Sequence, residues 1–192
     1  MIKLTLVFAA AWLLITLVIF LRARRLEDKP RKGTILDRLE GSIRLRDLFR
    51  LAVSIEDEGS LFYRQLAERS GDPAAKALCS RLAGEEGVHM ALFKKQLDNW
   101  RDLPLHHTLW QALLEDVKQK GILRSPPDPD ASEDEMAAYA IGQESKTAEF
   151  YQAFETAFPQ AWKRAAMSAL VQEERRHEHE LRAAYPHLNP KR

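Results

Sequence analysis

The chain carries the stretch LAGEEGVH at residues 82–89 and the related stretch LVQEERRH at residues 170–177. A second pair lies at the same spacing of 88 residues. AVSIE at 52–56 with Phe-Tyr at 62–63 matches AIGQE at 140–144 with Phe-Tyr at 150–151. Two different elements repeated in one register are the signature of a duplicated unit. The sequence therefore predicts two copies of one structural hairpin.

The residues around these repeats favour four long helices. Apolar residues recur at helical spacing from Leu45 to Ser70, and Gly71 ends the segment. Asp72-Pro73 is typical of an N-cap followed by proline at the first helical position, and predicts a second helix to about Trp100. A short helix is predicted at 108–120. Ser132 and Glu135 form a capping box that predicts the start of a third long helix, which ends at about Ala157, and a fourth long helix ends at about Tyr185. We expect an all-α four-helix bundle of two hairpins with a long crossover.

Composition narrows the classes of function. The 192 residues are 45% hydrophobic and 30% charged, which is typical of a globular chain. A net charge of +1 argues against a nucleic-acid partner. The single cysteine, Cys79, excludes an internal disulfide and a cysteine-based metal site. Metal chemistry in this chain must rest on histidine and carboxylate.

The N-terminal residues have the pattern of a membrane anchor. The run from Leu4 to Leu21 contains no charged residue. As a helix, this run would be nearly long enough to cross a hydrocarbon core of about 30 Å. The alternative is a cleaved signal peptide, but the apolar run exceeds the usual length and no small-x-small site precedes Arg22. We predict a transmembrane anchor at 1–22, a basic juxtamembrane linker at 23–44, the helical domain at 45–186 and a tail at 187–192.

The basic residues after the apolar run set the expected orientation. Six lysines and arginines lie between residues 22 and 32, against Lys3 and the terminal amine on the other side. The positive-inside rule predicts a single-pass membrane protein whose C-terminal domain faces the cytoplasm. Residues 2–32 are the expected contact with membrane lipid. The basic stretch either binds anionic headgroups or serves only as a stop-transfer flank.

Helix geometry brings the repeated acidic residues and histidines to one height. Glu86 and His89 share a helix face, as do Glu174 and His177. Glu56 lies about as far before the first turn as Glu86 lies after it, and Glu144 and Glu174 flank their own turn similarly. We therefore predict a layer of six groups, namely Glu56, Glu86, His89, Glu144, Glu174 and His177.

The charge of this layer predicts metal binding. Four ionised glutamates in an apolar bundle are prohibitively costly unless they bind protons or cations. Two divalent ions would match four carboxylates, and oxygen with imidazole ligation suits iron, with manganese as the alternative. The expected cofactor is a pair of iron ions.

With these motifs the chain resembles the rubrerythrin-like branch of the ferritin-like superfamily over residues 45–185. In that family the first and third helices each supply a ligand glutamate, which lies seven residues before a tyrosine. The pairs that match this pattern are Glu56 with Tyr63 and Glu144 with Tyr151. The second and fourth helices supply Glu-x-x-His. The resemblance departs in two respects, since the chain has no cysteine-rich rubredoxin domain and has Thr147 where rubrerythrins carry a further glutamate.

Residues next to the predicted ligands have weaker signals. Tyr63 and Tyr151 lie two turns from their glutamates, and either hydrogen-bond a ligand carboxylate or serve as core aromatics. Cys79 is expected to be a small buried residue. Glu85 and Glu173 are expected to be solvated.

The resemblance implies a di-iron oxidoreductase, a peroxidase or ferroxidase that reduces peroxide or dioxygen with Fe(II). The electron donor stays unknown, and a homodimer is a reasonable expectation because helical hairpin proteins of this kind often pair. Two alternatives stay open. One is a quinone-linked di-iron hydroxylase, and the other is a non-enzymatic module that binds or delivers iron.

Overall fold

The computed structural model describes residues 45–98, 115–157 and 161–189 of the chain. These residues are all-helical and contain no strand. The long helices are α1 (Leu45–Arg69), α2 (Pro73–Asp98), α3 (Glu133–Ala157) and α4 (Ala161–Ala184), and a 3-10 helix follows at Pro186–Leu188. The four long helices agree with the predicted ones to within about two residues at the described ends. Of the predicted short helix, residues 115–119 are described and helical.

Local hydrogen bonds explain why α2 and α3 begin where they do. The Asp72 side chain accepts a hydrogen bond from the backbone N–H of Ala75 at 3.0 Å. At the start of α3, the Glu135 carboxylate accepts from the Ser132 backbone at 2.8 Å, and the Ser132 hydroxyl accepts from the Glu135 N–H at 3.3 Å. Both caps satisfy N–H groups that a helix start leaves without a partner. The predicted capping box is therefore present.

The helices pack as two hairpins that face each other. Helix α1 packs along α2 and α3 packs along α4, while α1 also contacts α3 and α2 also contacts α4. Most of the buried apolar side chains of the described residues form two layers. One includes Phe49, Phe93 and Phe154, and the other includes Leu66, Leu82 and Leu181. Eight polar or charged residues are buried as well, namely Glu56, Ser60, Glu86, His89, Glu144, Thr147, Glu174 and His177.

The crossover between the hairpins turns back into the core after residue 120. Gly121 has a φ of 66°, a conformation that favours glycine. The N–H of Ile122 bonds the carbonyl of Val117 at 2.9 Å and the N–H of Gly121 bonds that of Lys118 at 3.0 Å, the pattern of a Schellman cap. This turn places Ile122 and Leu123 in the first apolar layer.

One hydrogen-bond group joins the far ends of the two hairpins. The Glu133 carboxylate at the start of α3 accepts from the Ser70 hydroxyl at 2.7 Å and from the Gly71 N–H at 3.1 Å, both in the turn after α1. It also accepts from the Tyr185 hydroxyl at 3.0 Å, at the end of α4. These bonds lower the pKa of Glu133, with the Ser70 bond the largest cause.

The predicted anchor, the basic linker and His106-His107 lie outside the described residues. Within the described part of the chain, no helix combines the length and the apolar character needed to cross a membrane.

Candidate metal centre

The structure brings all six predicted ligand residues together in one buried layer. Each of them exposes at most 4% of its surface. Each helix contributes to the layer at mid-length, since Glu56 comes from α1 and Glu144 from α3, while the Glu-x-x-His pairs come from α2 and α4. Because the two apolar layers lie on either side, the six groups are shielded from water. The layer is thus a polar site enclosed by hydrophobic packing.

The six residues form two sets of four donors that share two members. Glu56, Glu86, His89 and Glu174 each offer a donor atom, all within 4.8 Å of one another. Glu86, Glu144, Glu174 and His177 do the same. Glu86 and Glu174 belong to both sets. Such a pattern fits two cations that share two carboxylates, with one further glutamate and one histidine each.

The distances between donor atoms agree with a shared ion in each set. His89 Nδ1 lies 3.5 Å from Glu56 Oε2 and 3.4 Å from Glu86 Oε2. His177 Nδ1 lies 3.2 Å from Glu86 Oε1 and 3.6 Å from Glu144 Oε2. Donor atoms that bind one ion at about 2.1 Å lie about 3 Å or slightly more apart. The donor spacing therefore suits a transition metal without large rearrangement.

Four buried atoms of this layer have no hydrogen-bond partner, namely His89 Nδ1, Glu144 Oε2, Glu174 Oε1 and His177 Nδ1. Buried polar atoms are rarely left unsatisfied, and a site that binds an ion is one of the accepted explanations. All four belong to the two donor sets. The unpartnered atoms therefore indicate, independently of the sequence pattern, that these residues fit a pair of metal ions.

The two tyrosines connect the hairpins through the ligand glutamates. The Tyr63 hydroxyl on α1 donates to Glu144 on α3, and the Tyr151 hydroxyl on α3 donates to Glu56 on α1. Both tyrosines are buried and also belong to the apolar core. Each tyrosine thus bonds the glutamate of the other repeat, not the one that precedes it in sequence. A bond of this kind fixes the orientation of a ligand carboxylate.

Sequence reasoning missed a second pair of carboxylates. Glu85 and Glu173 were expected to be solvated, but each contacts a histidine of the opposite hairpin. His177 Nε2 lies 2.9 Å from Glu85 Oε2, and His89 Nε2 lies 2.5 Å from Glu173 Oε2. The signal was present in the repeat, which preserves a glutamate before each Glu-x-x-His. These carboxylates hold the imidazoles with Nδ1 facing the donor sets, as outer partners of metal-bound histidines do.

The environment of Glu85 keeps it ionised. Its partial burial opposes ionisation, but bonds from Arg81, His177 and Arg176 lower the pKa of Glu85 to about 2. Arg81 Nη1 lies 2.6 Å from Glu85, and Arg176 Nη2 lies 2.8 Å from it. A permanent negative charge therefore faces the outer nitrogen of His177.

Burial and mutual repulsion shift the pKa values of the inner layer. Burial, followed by the charges of nearby glutamates, raises the pKa of Glu56 and Glu174 well above the usual carboxyl range. Burial opposes protonation of His89 and His177, but the surrounding carboxylates outweigh it and raise their pKa to about 11 and about 10. Hydrogen bonds with Glu56 and the histidines overcome the burial of Glu86 and lower its pKa. Without metal cations, bound protons must balance the negative charge of the carboxylates in this layer, and metal ions can replace those protons.

A cavity of about 240 Å³ reaches the layer from the side of α1 and α3. All four ligand glutamates line it, whereas neither ligand histidine does. Exposed residues of α1, among them Glu58, Leu61 and Gln65, line its outer end. The layer is therefore approached from one side, while the histidines and their outer carboxylates close the other.

Two further residues named in the sequence take clear positions. Cys79 is fully buried in the apolar layer with Leu82 and Leu181, and burial raises the pKa of its thiol to about 11. Thr147 is 4% exposed and lines the cavity. Cys79 is thus a core residue, and Thr147 faces the approach to the ligand layer.

No model of a protein family matches the sequence, and a comparison with curated proteins gives no significant match. Among solved structures, the chain is similar to a hypothetical protein from Pyrococcus furiosus, with a TM-score of 0.62 and 24% sequence identity. The similarity covers 81% of this chain and 96% of that one. At this identity the comparison shows a shared fold and nothing about activity.

Proposed function

We propose that this chain is a membrane-anchored, ferritin-like protein of rubrerythrin type that binds two iron ions and reduces peroxide or dioxygen with Fe(II). The observation that carries the proposal is the pair of donor sets sharing Glu86 and Glu174. One glutamate from each of two helices, with Glu-x-x-His from each of the other two, is the ligand arrangement of ferritin-like di-iron proteins. The proposed activity is that of a peroxidase or ferroxidase.

The donor chemistry favours iron, with manganese as the alternative. Four carboxylates balance two divalent ions, and the chain offers imidazole and oxygen but no thiolate in the layer. A pair of ferrous ions supplies two electrons, which suits the two-electron cleavage of an O–O bond. Glu56 and His89 would hold one ion and Glu144 and His177 the other, with Glu86 and Glu174 shared.

The chain's own residues position these ligands. Tyr63 and Tyr151 orient the carboxylates of Glu144 and Glu56, and the outer carboxylates hold the histidine rings. The apolar layers exclude water from the ligands, which strengthens electrostatic interactions with them. The cavity on the α1 and α3 side gives an oxidant access to the carboxylate side of the layer.

The proposed setting is the cytoplasmic face of a membrane. It rests on the uncharged run before Arg22 and on the basic residues after it. The single cysteine among these 192 residues cannot form a rubredoxin site, and the electron donor of the proposed reaction is unknown. We expect the full-length protein in the membrane fraction, with lipid around residues 2–32.

Stopped-flow oxidation of the ferrous-loaded, full-length protein tests the activity. We expect hydrogen peroxide or dioxygen to oxidise the bound iron in a single fast phase that the Glu86→Ala variant lacks. A quinol added to the oxidised protein tests the hydroxylase alternative, which requires a hydroxylated ring among the products. Release of iron without reaction with any oxidant would contradict the enzymatic proposal and favour the delivery module.

A further inference from the structure

The cavity above the ligand layer has the size and the lining of a site for a small apolar molecule. Its walls include Ile55, Phe62, Leu123 and Tyr139, and its floor is formed by the ligand glutamates. The rings of Phe62 and Tyr139 lie 4.8 Å apart. Apolar walls with a few convergent polar groups are typical of small-molecule sites. A dry apolar cavity of about 150 Å³ is enough for benzene, so about 240 Å³ accommodates one substituted ring.

The two repeats differ at the position that opens this cavity. Gly59 and Thr147 are equivalent in the 88-residue repeat, and both line the cavity. Gly59 has no side chain, and a Cβ atom there would lie 3.5 Å from Glu86 Cγ. The missing side chain leaves room next to a shared ligand. The departure from exact repetition therefore creates space on one side of the layer.

Thr147 supplies a polar group inside the apolar walls. Thr147 is 4% exposed, and it lines the cavity. A hydroxyl in an apolar wall can exchange a hydrogen bond with a ligand that occupies the cavity. Its place in the wall next to Glu144 is where the polar end of a ligand would lie.

The crossover segment forms one wall of the cavity. Leu123 and Pro126 line it, and Arg124 between them is held against α3. The Arg124 guanidinium donates to the Ala138 carbonyl at 3.0 Å, and its backbone N–H donates to the Gln143 side chain at 3.0 Å. A Cβ atom at position 142 would clash with this guanidinium, so Gly142 makes the contact possible. The wall is thus a fixed part of the fold.

The lining of the cavity favours a neutral ligand over an anion. Among the described residues that line it there is no lysine or arginine. An anionic ligand would lose its hydration without gaining a cationic partner. A neutral molecule with an apolar body and one polar end satisfies both the walls and Thr147.

We propose that the substrate of this site is a small organic hydroperoxide, whose carbon body of about one aromatic ring occupies the cavity. The inference rests on the proposed function and names its substrate class. In the reaction the O–O bond of R–O–O–H breaks, and two electrons and two protons convert it to R–OH and water. Two ferrous ions held by the layer would supply one electron each, becoming ferric, and solvent would supply the protons. The Thr147 hydroxyl bonds the polar end of the molecule.

Binding of the product alcohol tests the cavity without requiring activity. The probe is 2-phenyl-2-propanol, the alcohol formed from cumene hydroperoxide, titrated into the full-length metal-free chain by ligand-observed NMR. We expect saturable binding that Ala140→Leu, which fills the cavity, weakens at least about tenfold. Ala138→Leu is the matched control, because Ala138 is exposed on the same helix and does not line the cavity. Thr147→Val, which keeps the side-chain shape, should weaken binding about fivefold.

Single-turnover oxidation of the ferrous-loaded chain supplies the second arm. We expect the ratio of the rate with cumene hydroperoxide to the rate with hydrogen peroxide to fall about tenfold in Ala140→Leu and to stay unchanged in Ala138→Leu. Absence of saturable alcohol binding in the wild type, or equal binding by Ala140→Leu and Ala138→Leu, would overturn the inference. If alcohol binds as expected but neither peroxide oxidises the iron, the proposed function fails, and the substrate assignment fails with it.

Discussion

The Tyr63 hydroxyl on α1 donates a hydrogen bond to Glu144 on α3, so one hairpin orients a candidate ligand of the other. Tyr151 and Glu56 make the reciprocal bond. Because the repeats exchange these bonds, neither half of the ligand layer is complete without its partner hairpin.

The exchange predicts a specific effect of removing one hydroxyl. Tyr63→Phe should keep the fold, at a cost of about 1 kcal/mol in the free energy of unfolding, and weaken metal binding about 10- to 100-fold. Tyr139→Phe is the control, since the bonds to Glu144 and Glu56 come from Tyr63 and Tyr151. Competition with a chelator measures the affinities. Equal metal affinity in the two variants would show that the Tyr63 bond does not position Glu144.

The outer carboxylates predict a second effect on affinity. A Glu85→Gln/Glu173→Gln double variant removes the charges that face His177 and His89, so we expect metal affinity to fall about 10- to 100-fold. Glu180→Gln is the control, because Glu180 pairs with Arg81 and Arg176 without contacting either histidine. The same chelator competition measures all three proteins. A loss of affinity as large in the control would assign the effect to surface charge.

The sequence was sufficient to predict the helices and the common height of the six inner residues, because both depend on local spacing. Each of these patterns spans only a few consecutive residues, as the helix caps at Asp72 and Ser132 and the two Glu-x-x-His pairs do. The roles of Glu85 and Glu173 depend on which helix faces which, and that is decided by the packing of the hairpins. The cavity depends on the crossover, where Arg124 bonds Ala138 and Gln143 of α3. No local pattern contains that contact.

The electrostatics of the layer predict the stability of the metal-free protein. Glu56→Gln/Glu144→Gln removes two buried charges and nearly keeps shape, so we expect the metal-free variant to be as stable as wild type or more stable. We also expect it to lose peroxide-driven iron oxidation. Thermal melting and absorbance measure the two properties. Strong destabilisation, or iron oxidation at the wild-type rate, would contradict a functional metal layer.

A matched surface variant controls for the change in net charge. Glu68→Gln/Glu149→Gln removes the same number of charges from exposed positions of α1 and α3, where Glu149 pairs with Lys146. Because surface pairs contribute little, we expect a change within about 0.5 kcal/mol and unaltered metal binding.

The bonds around Glu133 predict how stability depends on pH. Its pKa is lowered in the folded protein, so its contribution is present above the unfolded carboxyl pKa and is lost as the pH falls through the folded value. Glu133→Gln should therefore lower stability by about 1 kcal/mol at pH 7 and have a smaller effect near pH 3. Denaturant unfolding at both pH values measures this. Glu68→Gln, on the exposed surface of α1, is the control and should have little effect on stability at either pH. If Glu133→Gln lowered stability equally at pH 7 and pH 3, the ionised Glu133 carboxylate would not be the source of the effect.

Metal content tests the central claim most directly, because Glu86 and Glu174 belong to both donor sets. Elemental analysis of the reconstituted full-length protein should give about two iron or manganese ions per chain. Glu86→Ala and Glu174→Ala should each lose most of both ions, whereas Glu58→Ala, at an exposed position, should keep them. A wild-type protein that binds no metal, or either ligand variant with unchanged metal content, would contradict a shared two-metal site.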